Sequence, residues 1–160
     1  MSQLEEKLHS LGHTLPPPPA GAGNYLPFRR SGNLLFLSGS ISVKGDGTLI
    51  TGKVGGDKSL EDAYASAAVC VLNQLAVVKA AVGSLDAIRQ IVMLNGYVNV
   101  TPEFVDVPQV INGASDLLVA LLGDAGRHAR AAVGVASLPK GVLTEVAMTV
   151  EVADNDKTEQ

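Results

Sequence analysis

The chain has 160 residues, 46% of them hydrophobic and 18% charged, which is typical of a single globular domain with a substantial apolar core. Its formal net charge of −4 argues against a general nucleic-acid or anionic-membrane binder, since such proteins carry a clustered basic face. A single cysteine, Cys70, excludes an intramolecular disulfide, and the acidic first residues lack the apolar stretch of a secretory signal. No apolar run of about 20 residues stands out. We therefore expect a soluble cytoplasmic protein without a membrane span.

The N-terminal residues predict an appendage rather than a part of the core. Leu4, Leu8 and Leu11 form one stripe of a short helix that ends at Gly12. The segment PPPPAGAG that follows is typical of an extended, polyproline-like arm. We expect residues 1–23 to be a helix and arm, residues 24–152 the domain, and residues 153–160 a frayed polar tail.

The first half of the domain predicts a hairpin and then a long helix. Residues 24–30 and 33–41 are typical of two strands around Ser31-Gly32. Ser59 with Asp62 forms a capping-box pattern, and an apolar stripe with spacings of three and four continues to about Val82. A helix of that length is long enough to cross a whole sheet.

The second half repeats the alternation of strand and helix. Residues 90–100 predict a strand and residues 108–122 a second long helix. Residues 129–136 and 143–152 predict two strands around a turn near Leu138-Pro139. The segment KGDGTLITGKVGGDKS before the first long helix predicts a loop that leaves room for one short strand, written in brackets below. The order β-β-(β)-α-β-α-β-β favours an α+β two-layer sandwich, with two long helices on one face of a mixed sheet.

The last two strands carry an arginine and a glutamate where small residues dominate. With a period of two, Ala131 and Val133 should meet the helices, while Arg130 and Glu145 occupy the opposite face. If the strands pair as a hairpin, the two charged residues lie close together on that face. The pair then has two interpretations. It is either a cross-strand salt bridge at a subunit interface, or an anion-binding arginine beside a carboxylate that holds water.

Other motifs are weak. GTLITGKV resembles a phosphate-binding loop, but Val54 stands where serine or threonine must bind magnesium. His9 and His13 have the spacing of a metal pair but no third ligand nearby. We expect no metal and no organic cofactor. His128 either adds positive potential beside Arg130 or caps the preceding loop.

Three stretches together resemble a known family: GNLLFLSGSIS, VINGASDLL and RHARAAVGVASLPKGVLTEVAMTVEV. The chain is similar over about residues 20–152 to the YjgF/RidA family of enamine/imine deaminases. Its subgroup with an N-terminal helical extension often carries the label "L-PSP endoribonuclease". The resemblance implies a chorismate-mutase-like fold, a homotrimer with a central β-barrel, and sites in clefts between subunits.

The resemblance also implies roles for individual residues. Arg130 matches the arginine that binds the substrate carboxylate, and Glu145 matches the glutamate that positions the hydrolytic water. The implied substrate-binding residues are Tyr25, Ser38, Gly39, Asn112 and Ala132. Ala132 departs from the family pattern, because many members have a cysteine there, so only a backbone contact can remain. The loop of residues 47–59 is also longer than usual.

The implied activity is hydrolytic deamination of small 2-enamine or 2-imine carboxylates, such as 2-aminoacrylate, to 2-keto acids and ammonia. Two alternatives stay open. One is a non-catalytic trimeric module that binds a small keto or amino acid. The other, less favoured because the chain is acidic and poor in aromatic residues, is an endoribonuclease. A nucleic-acid partner is therefore not expected.

Overall fold

The structure, a computed structural model, describes residues 1–154. Its helices and strands, in chain order, are α1 Gln3–Ser10, β1 Phe28–Ser31, β2 Leu34–Leu37, β3 Ser40–Ile41, α2 Leu60–Val82, β4 Ile88–Asn99, α3 Val107–Leu122, β5 Ala129–Val135 and β6 Thr144–Val152. Short 3₁₀ turns precede β4, β5 and β6.

The elements follow the local signals of the sequence. Ser59 caps α2 through a reciprocal capping box with Asp62, and Gly83 ends the helix in the left-handed conformation, with φ of 86°. The same box, Ser2 with Glu5, begins α1. The predicted hairpin forms as β1 and β2, with Ser31 opposite Leu34.

One mixed sheet carries the domain, in the order β1-β2-β6-β4-β5, and β3 pairs with β6 beside β2. The β4–β5 pair is parallel, whereas β1–β2, β2–β6, β3–β6 and β4–β6 are antiparallel. Helices α2 and α3 pack together and contribute with the sheet to one apolar core. They cross closely at Gly113, where an added Cβ would lie 2.0 Å from the Tyr64 carbonyl oxygen. The predicted α+β sandwich with two long helices is confirmed.

The predicted hairpin of the last two strands is wrong. β5 pairs with β4, Leu94 lying opposite Arg130, and β4 separates β5 from β6. The physical reason is the crossover: a strand that returns through a helix such as α3 pairs in parallel with the strand before it. β5 therefore becomes an edge of the sheet.

The faces assigned to β5 are wrong for the same reason. Arg130 shares its row with Leu94, which is fully buried against the helices, so Arg130 and Ala132 lie on the helix face. Ala131 and Val133 point to the opposite, open face, where Val133 is exposed. On β6 the predicted alternation is confirmed, since Val146, Met148 and Val150 are buried and Glu145 points the other way.

The N-terminal helix is fixed to the far end of α2. Asp86 accepts hydrogen bonds from the backbone N–H groups of Gln3 and Leu4, at 3.0 and 2.9 Å. Lys79 forms an ion pair with Glu5, and Leu8 is buried. The division of the chain at residue 23 stays a prediction, and most of the predicted frayed tail, residues 155–160, lies outside the described residues.

Among the described helices, α2 alone is long and apolar enough to cross a membrane, by length and composition only. The prediction that the chain has no apolar run of about 20 residues is therefore wrong by this measure. In this structure α2 is a core helix that packs against α3 and the sheet, and its residues Ala63, Ala67, Val71 and Leu75 are fully buried.

Candidate functional site

A cavity of about 630 Å³ lies at the edge of the sheet where β2 gives way to β3. Its walls come from the proline arm, the segment from Ser38 to Leu49, and one face of α2; Glu145 and the turn residues Pro139 and Lys140 complete the lining. Tyr25, Ser38, Gly39 and Glu145, four of the seven predicted site residues, line it. The volume is within the range of small-molecule sites in proteins.

Residues 38 and 39, the break that separates β2 from β3, form part of the cavity wall. Gln74 of α2 holds them in place through hydrogen bonds. The fully buried Gln74 amide donates to the Ser38 carbonyl oxygen at 2.8 Å and to Ser40 Oγ at 2.6 Å. Its Oε1 accepts from the Met148 backbone N–H at 2.9 Å. These bonds replace the ladder contacts that the break removes, and they fix Ser38 and Gly39 beside β6.

The Ser38 side chain is itself engaged. Its hydroxyl donates to the Leu26 carbonyl oxygen at 2.6 Å, and its backbone N–H donates to the Pro27 carbonyl oxygen at 2.9 Å. Both bonds attach the end of the arm to the cavity wall. Tyr25, next to this attachment, is 55% exposed and lines the cavity opening.

Glu145 lies half-buried on β6, with its carboxylate against Gly39. A Cβ at residue 39 would come within 3.2 Å of Glu145 Cδ and 3.4 Å of Oε2, so the carboxylate would have to shift to make room for any larger residue there. Burial raises the pKa of Glu145 above its usual value. Within residues 1–154, no hydrogen-bond donor or cation within bonding distance holds this carboxylate.

Arg130 lies on the other side of the sheet, against α3. Its Nη1 donates to Asn112 Oδ1 at 2.8 Å and to Ser115 Oγ at 3.1 Å, and its Nη2 lies 3.4 Å from the Pro108 carbonyl oxygen. Asn112, predicted as a substrate-binding residue, is thus a partner of the arginine. Ala132, two residues further along β5, borders a second, more open hollow of about 660 Å³ at the start of α3.

The predicted proximity of Arg130 and Glu145 on one face is wrong within a single chain. Leu94 and Tyr97 of β4 show why: Leu94 pairs with Arg130 on the helix face, and Tyr97 pairs with Glu145 on the open face. An ion pair between the two inside one chain is therefore excluded. The structure brings Tyr25, Ser38, Gly39 and Glu145 together, and Arg130, Asn112 and Ala132 together, as two separate groups.

Several residues of these groups were missed from sequence alone. Lys140 lines the cavity from a left-handed backbone conformation, with φ of 57°, in the turn that was predicted only as a hairpin. Ser115 lies three residues after Asn112 on α3, a spacing that places both on one helix face. Gln74 could have been found from the sequence, since a glutamine among the apolar residues of a core helix needs hydrogen-bond partners when it is buried.

The minor motifs have structural positions. Lys53 of the phosphate-loop-like segment binds Asn99 Oδ1 at 2.6 Å, and the next helix begins only at Leu60. Cys70 is fully buried, and burial raises its pKa to about 12. In the part of the chain that the structure describes, no group of three metal-ligating side chains occurs.

With this geometry in view, the family is decided by a direct match. A family model described as "YjgF/chorismate_mutase-like, putative endoribonuclease" matches residues 5–152. The chain belongs to the YjgF family. This YjgF-family chain is also 40% identical over 151 residues to Protein TCP17 of Trypanosoma cruzi, covering 94% of each sequence.

Solved structures agree with the YjgF fold. Protein Atu1372 of Agrobacterium tumefaciens is 47% identical, with a TM-score of 0.87 over 94% of both chains. A "putative endoribonuclease" of Shewanella oneidensis is 34% identical, with a TM-score of 0.90 over 94% of this chain and all of that one. RidA of a Psychrobacter species is 28% identical, with a TM-score of 0.61 over 84% of this chain and 94% of its own. The predicted chorismate-mutase-like fold is confirmed.

Proposed function

We propose that this YjgF-family chain hydrolyses small 2-enamine or 2-imine carboxylates to 2-keto acids and ammonia, in a site shared by two copies of the chain within a homotrimer. The observation that carries the proposal is Glu145. A half-buried carboxylate, without a partner among the described residues, lies in a cavity of ligand size and has its pKa raised by burial. Such a group is suited to hold water and exchange a proton with it.

Arg130 supplies the complementary half. Both Nη1 protons are used by Asn112 and Ser115, and among the described residues no acceptor is bound to Nε. Nε–H and one Nη2–H therefore remain as a planar fork, which matches the two oxygens of a carboxylate. Since Arg130 and Glu145 lie on opposite faces of one sheet, a second copy is required to place a fork opposite a glutamate.

The chemistry then needs only the residues of the chain. The enamine tautomerises to the imine, and water held by the Glu145 carboxylate adds to its carbon. Glu145 takes one proton from the water and passes it to the nitrogen, which gives a carbinolamine. The carbinol hydroxyl then gives up its proton, which Glu145 passes to the same nitrogen, and ammonia leaves as the carbonyl forms. The arginine fork holds the substrate carboxylate throughout, so that orientation supplies a large part of the acceleration.

The test is the rate of pyruvate release from 2-aminoacrylate generated in situ by a serine dehydratase. We expect the wild-type chain to accelerate release and both Arg130→Ala and Glu145→Gln to lose that acceleration. Each variant is first shown to fold and to keep its oligomeric state. Glu151→Gln is the matched control, because Glu151 lies on the same strand and bonds to Gln90, away from the cavity lining.

Two results would contradict the proposal. One is a wild-type rate equal to the enzyme-free control with enamines from several amino acids, which would leave a small-molecule binding module in its place. The other is cleavage of single-stranded RNA that depends on Glu145 and weakens with salt, as phosphate contacts require.

A further inference from the structure

The turn before β5 brings a histidine and a serine into one hydrogen-bonded chain with Arg130. His128 Nδ1 lies 2.7 Å from the Gly126 carbonyl oxygen, and its Nε2 lies 2.9 Å from Ser115 Oγ. Ser115 Oγ is in turn 3.1 Å from Arg130 Nη1. Hydrogen bonds thus connect the Gly126 carbonyl oxygen to the Arg130 guanidinium through the side chains of His128 and Ser115.

The direction of each bond is set by the groups at its two ends. A carbonyl oxygen can only accept, so His128 carries its proton on Nδ1. When the ring is neutral, Nε2 is then an acceptor and takes the Ser115 hydroxyl proton. Arginine can only donate, so Ser115 must turn a lone pair toward Nη1.

The surroundings keep the ring neutral near pH 7. Burial first, and the charge of Arg130 second, lower the pKa of His128. The β4 residues at its level, Val92 and Met93, are apolar. On α3 the carboxylate of Asp116 accepts from the Tyr64 hydroxyl, and in the preceding turn Asp124 is fully exposed beside Arg127. None of these carboxylates bonds to the ring.

We propose that Ser115 and His128 are positioning residues for Arg130: neutral His128 orients the Ser115 hydroxyl, which holds Nη1 against α3 and leaves the Nε–Nη2 edge turned outward to bind a carboxylate. This inference rests on the proposed role of Arg130 as the carboxylate anchor. Its energetic content is preorganisation, because a long arginine that is already ordered loses less side-chain entropy when the ligand binds.

The first experiment measures pyruvate binding by calorimetry at pH 7.5, where His128 is neutral. We expect Ser115→Ala to raise the Kd for pyruvate about three- to tenfold, Ser115→Thr to restore it, and His128→Ala to resemble Ser115→Ala. In the 2-aminoacrylate assay the same variants should raise KM more than they lower kcat, since the fork still forms both of its bonds once the substrate is bound. Ser10→Ala and His9→Gln, both exposed on α1, are the matched controls.

The second experiment needs no ligand. Nitrogen NMR of the His128 ring should show a protonated Nδ1 and a bare Nε2 at pH 7.5, and rotation of the Arg130 guanidinium should be faster in Ser115→Ala than in wild type. An Nε2-protonated ring, guanidinium motion unchanged by Ser115→Ala, or a Ser115→Ala Kd within twofold of wild type would each overturn the proposal.

The two experiments separate this inference from the proposed function. If pyruvate binds through Arg130 but 2-aminoacrylate is not hydrolysed, the proposed deamination is wrong. The effect of Ser115→Ala on pyruvate binding then still decides whether Ser115 and His128 position Arg130. If pyruvate does not bind to the wild-type chain, Arg130 is not the anchor and the inference about its positioning is overturned with it.

Discussion

At the scale of single residues, the chemistry of the cavity depends on a carboxylate that forms no ion pair with any residue from 1 to 154. Glu145 has Gly39 against it, and the absence of a side chain there leaves space for the carboxylate. Burial makes ionisation of this carboxylate costly, which is why its pKa rises. A glutamate on an exposed strand face would keep an ordinary pKa and hold water less effectively.

The pH dependence of deamination should report this carboxylate. Because only ionised Glu145 can take a proton from water, kcat/KM should fall as the pH drops through a pKa above the reference value of 4.5. Glu145→Gln should lower kcat/KM about 100-fold and abolish that acid limb. A pH–rate profile of both proteins checks this, and an acid limb that persists in Glu145→Gln would assign it to another group.

Cys70 is the opposite case, a reactive group made inert by its position. It is fully buried on α2, its thiol lies 3.4 Å from Thr144 Oγ1, and its pKa is raised to about 12. We expect no labelling by a thiol reagent at pH 8 in the native protein and complete labelling after unfolding, since the thiolate is the reacting species. Ala65→Cys, exposed on the same helix, should react at once. Equal rates at both positions would contradict the burial of Cys70.

At the scale of elements, polar side chains of α2 organise the strands that it covers. Gln74 bridges β6 to the break between β2 and β3, and Asn73 donates to the carbonyl oxygens of Ile41 and Val43, at 3.3 and 2.8 Å. Ser66 and Thr144 form a further buried hydrogen bond, of 2.7 Å. The short strand β3, with two residues, thus keeps its place with help from the helix beneath it.

Replacing Gln74 should therefore lower the free energy of unfolding by more than the loss of its side-chain volume indicates. Gln74→Met keeps the size of the side chain but leaves the Met148 N–H and the Ser38 carbonyl without their partner, so we expect a loss of about 2–4 kcal/mol of unfolding free energy. Gln90→Met, on the exposed part of β4, should stay within about 0.5 kcal/mol. Denaturant unfolding monitored by circular dichroism measures both, and equal stabilities would show that Gln74 is not required.

At the scale of the whole molecule, one chain presents the two halves of the proposed site on different faces. The cavity with Glu145 lies beside β3, and the Arg130 fork lies at the β5 edge against α3. In a closed ring of identical subunits, each copy can offer its arginine to one neighbour and its glutamate to the other. An isolated chain then has every proposed residue and no complete site.

Mixing two inactive variants tests this arrangement. When Arg130→Ala and Glu145→Gln chains are unfolded together and refolded in equal amounts, about a quarter of the shared sites should combine an intact arginine with an intact glutamate. Activity should therefore recover to about a quarter of wild type. Each variant refolded alone is the control, and no recovery in a mixture proven to contain hybrids would place the site within one chain.

The sequence by itself determined the elements of this protein, because their signals are local. Capping residues, stop glycines such as Gly83, and apolar spacing predicted both long helices and nearly all strands within a few residues. The motif around Arg130 and Glu145 identified the family without any knowledge of where the two side chains point.

Only the tertiary structure decided which strands are neighbours and which face each charged residue occupies. Pairing β5 with β4 instead of β6 is a long-range choice, set by the crossover through α3, and it moves Arg130 to the helix face. A period of two gives the alternation along a strand but not which side is the core. The relay from His128 through Ser115 also depends on that choice, because its members meet only when β5 lies beside α3.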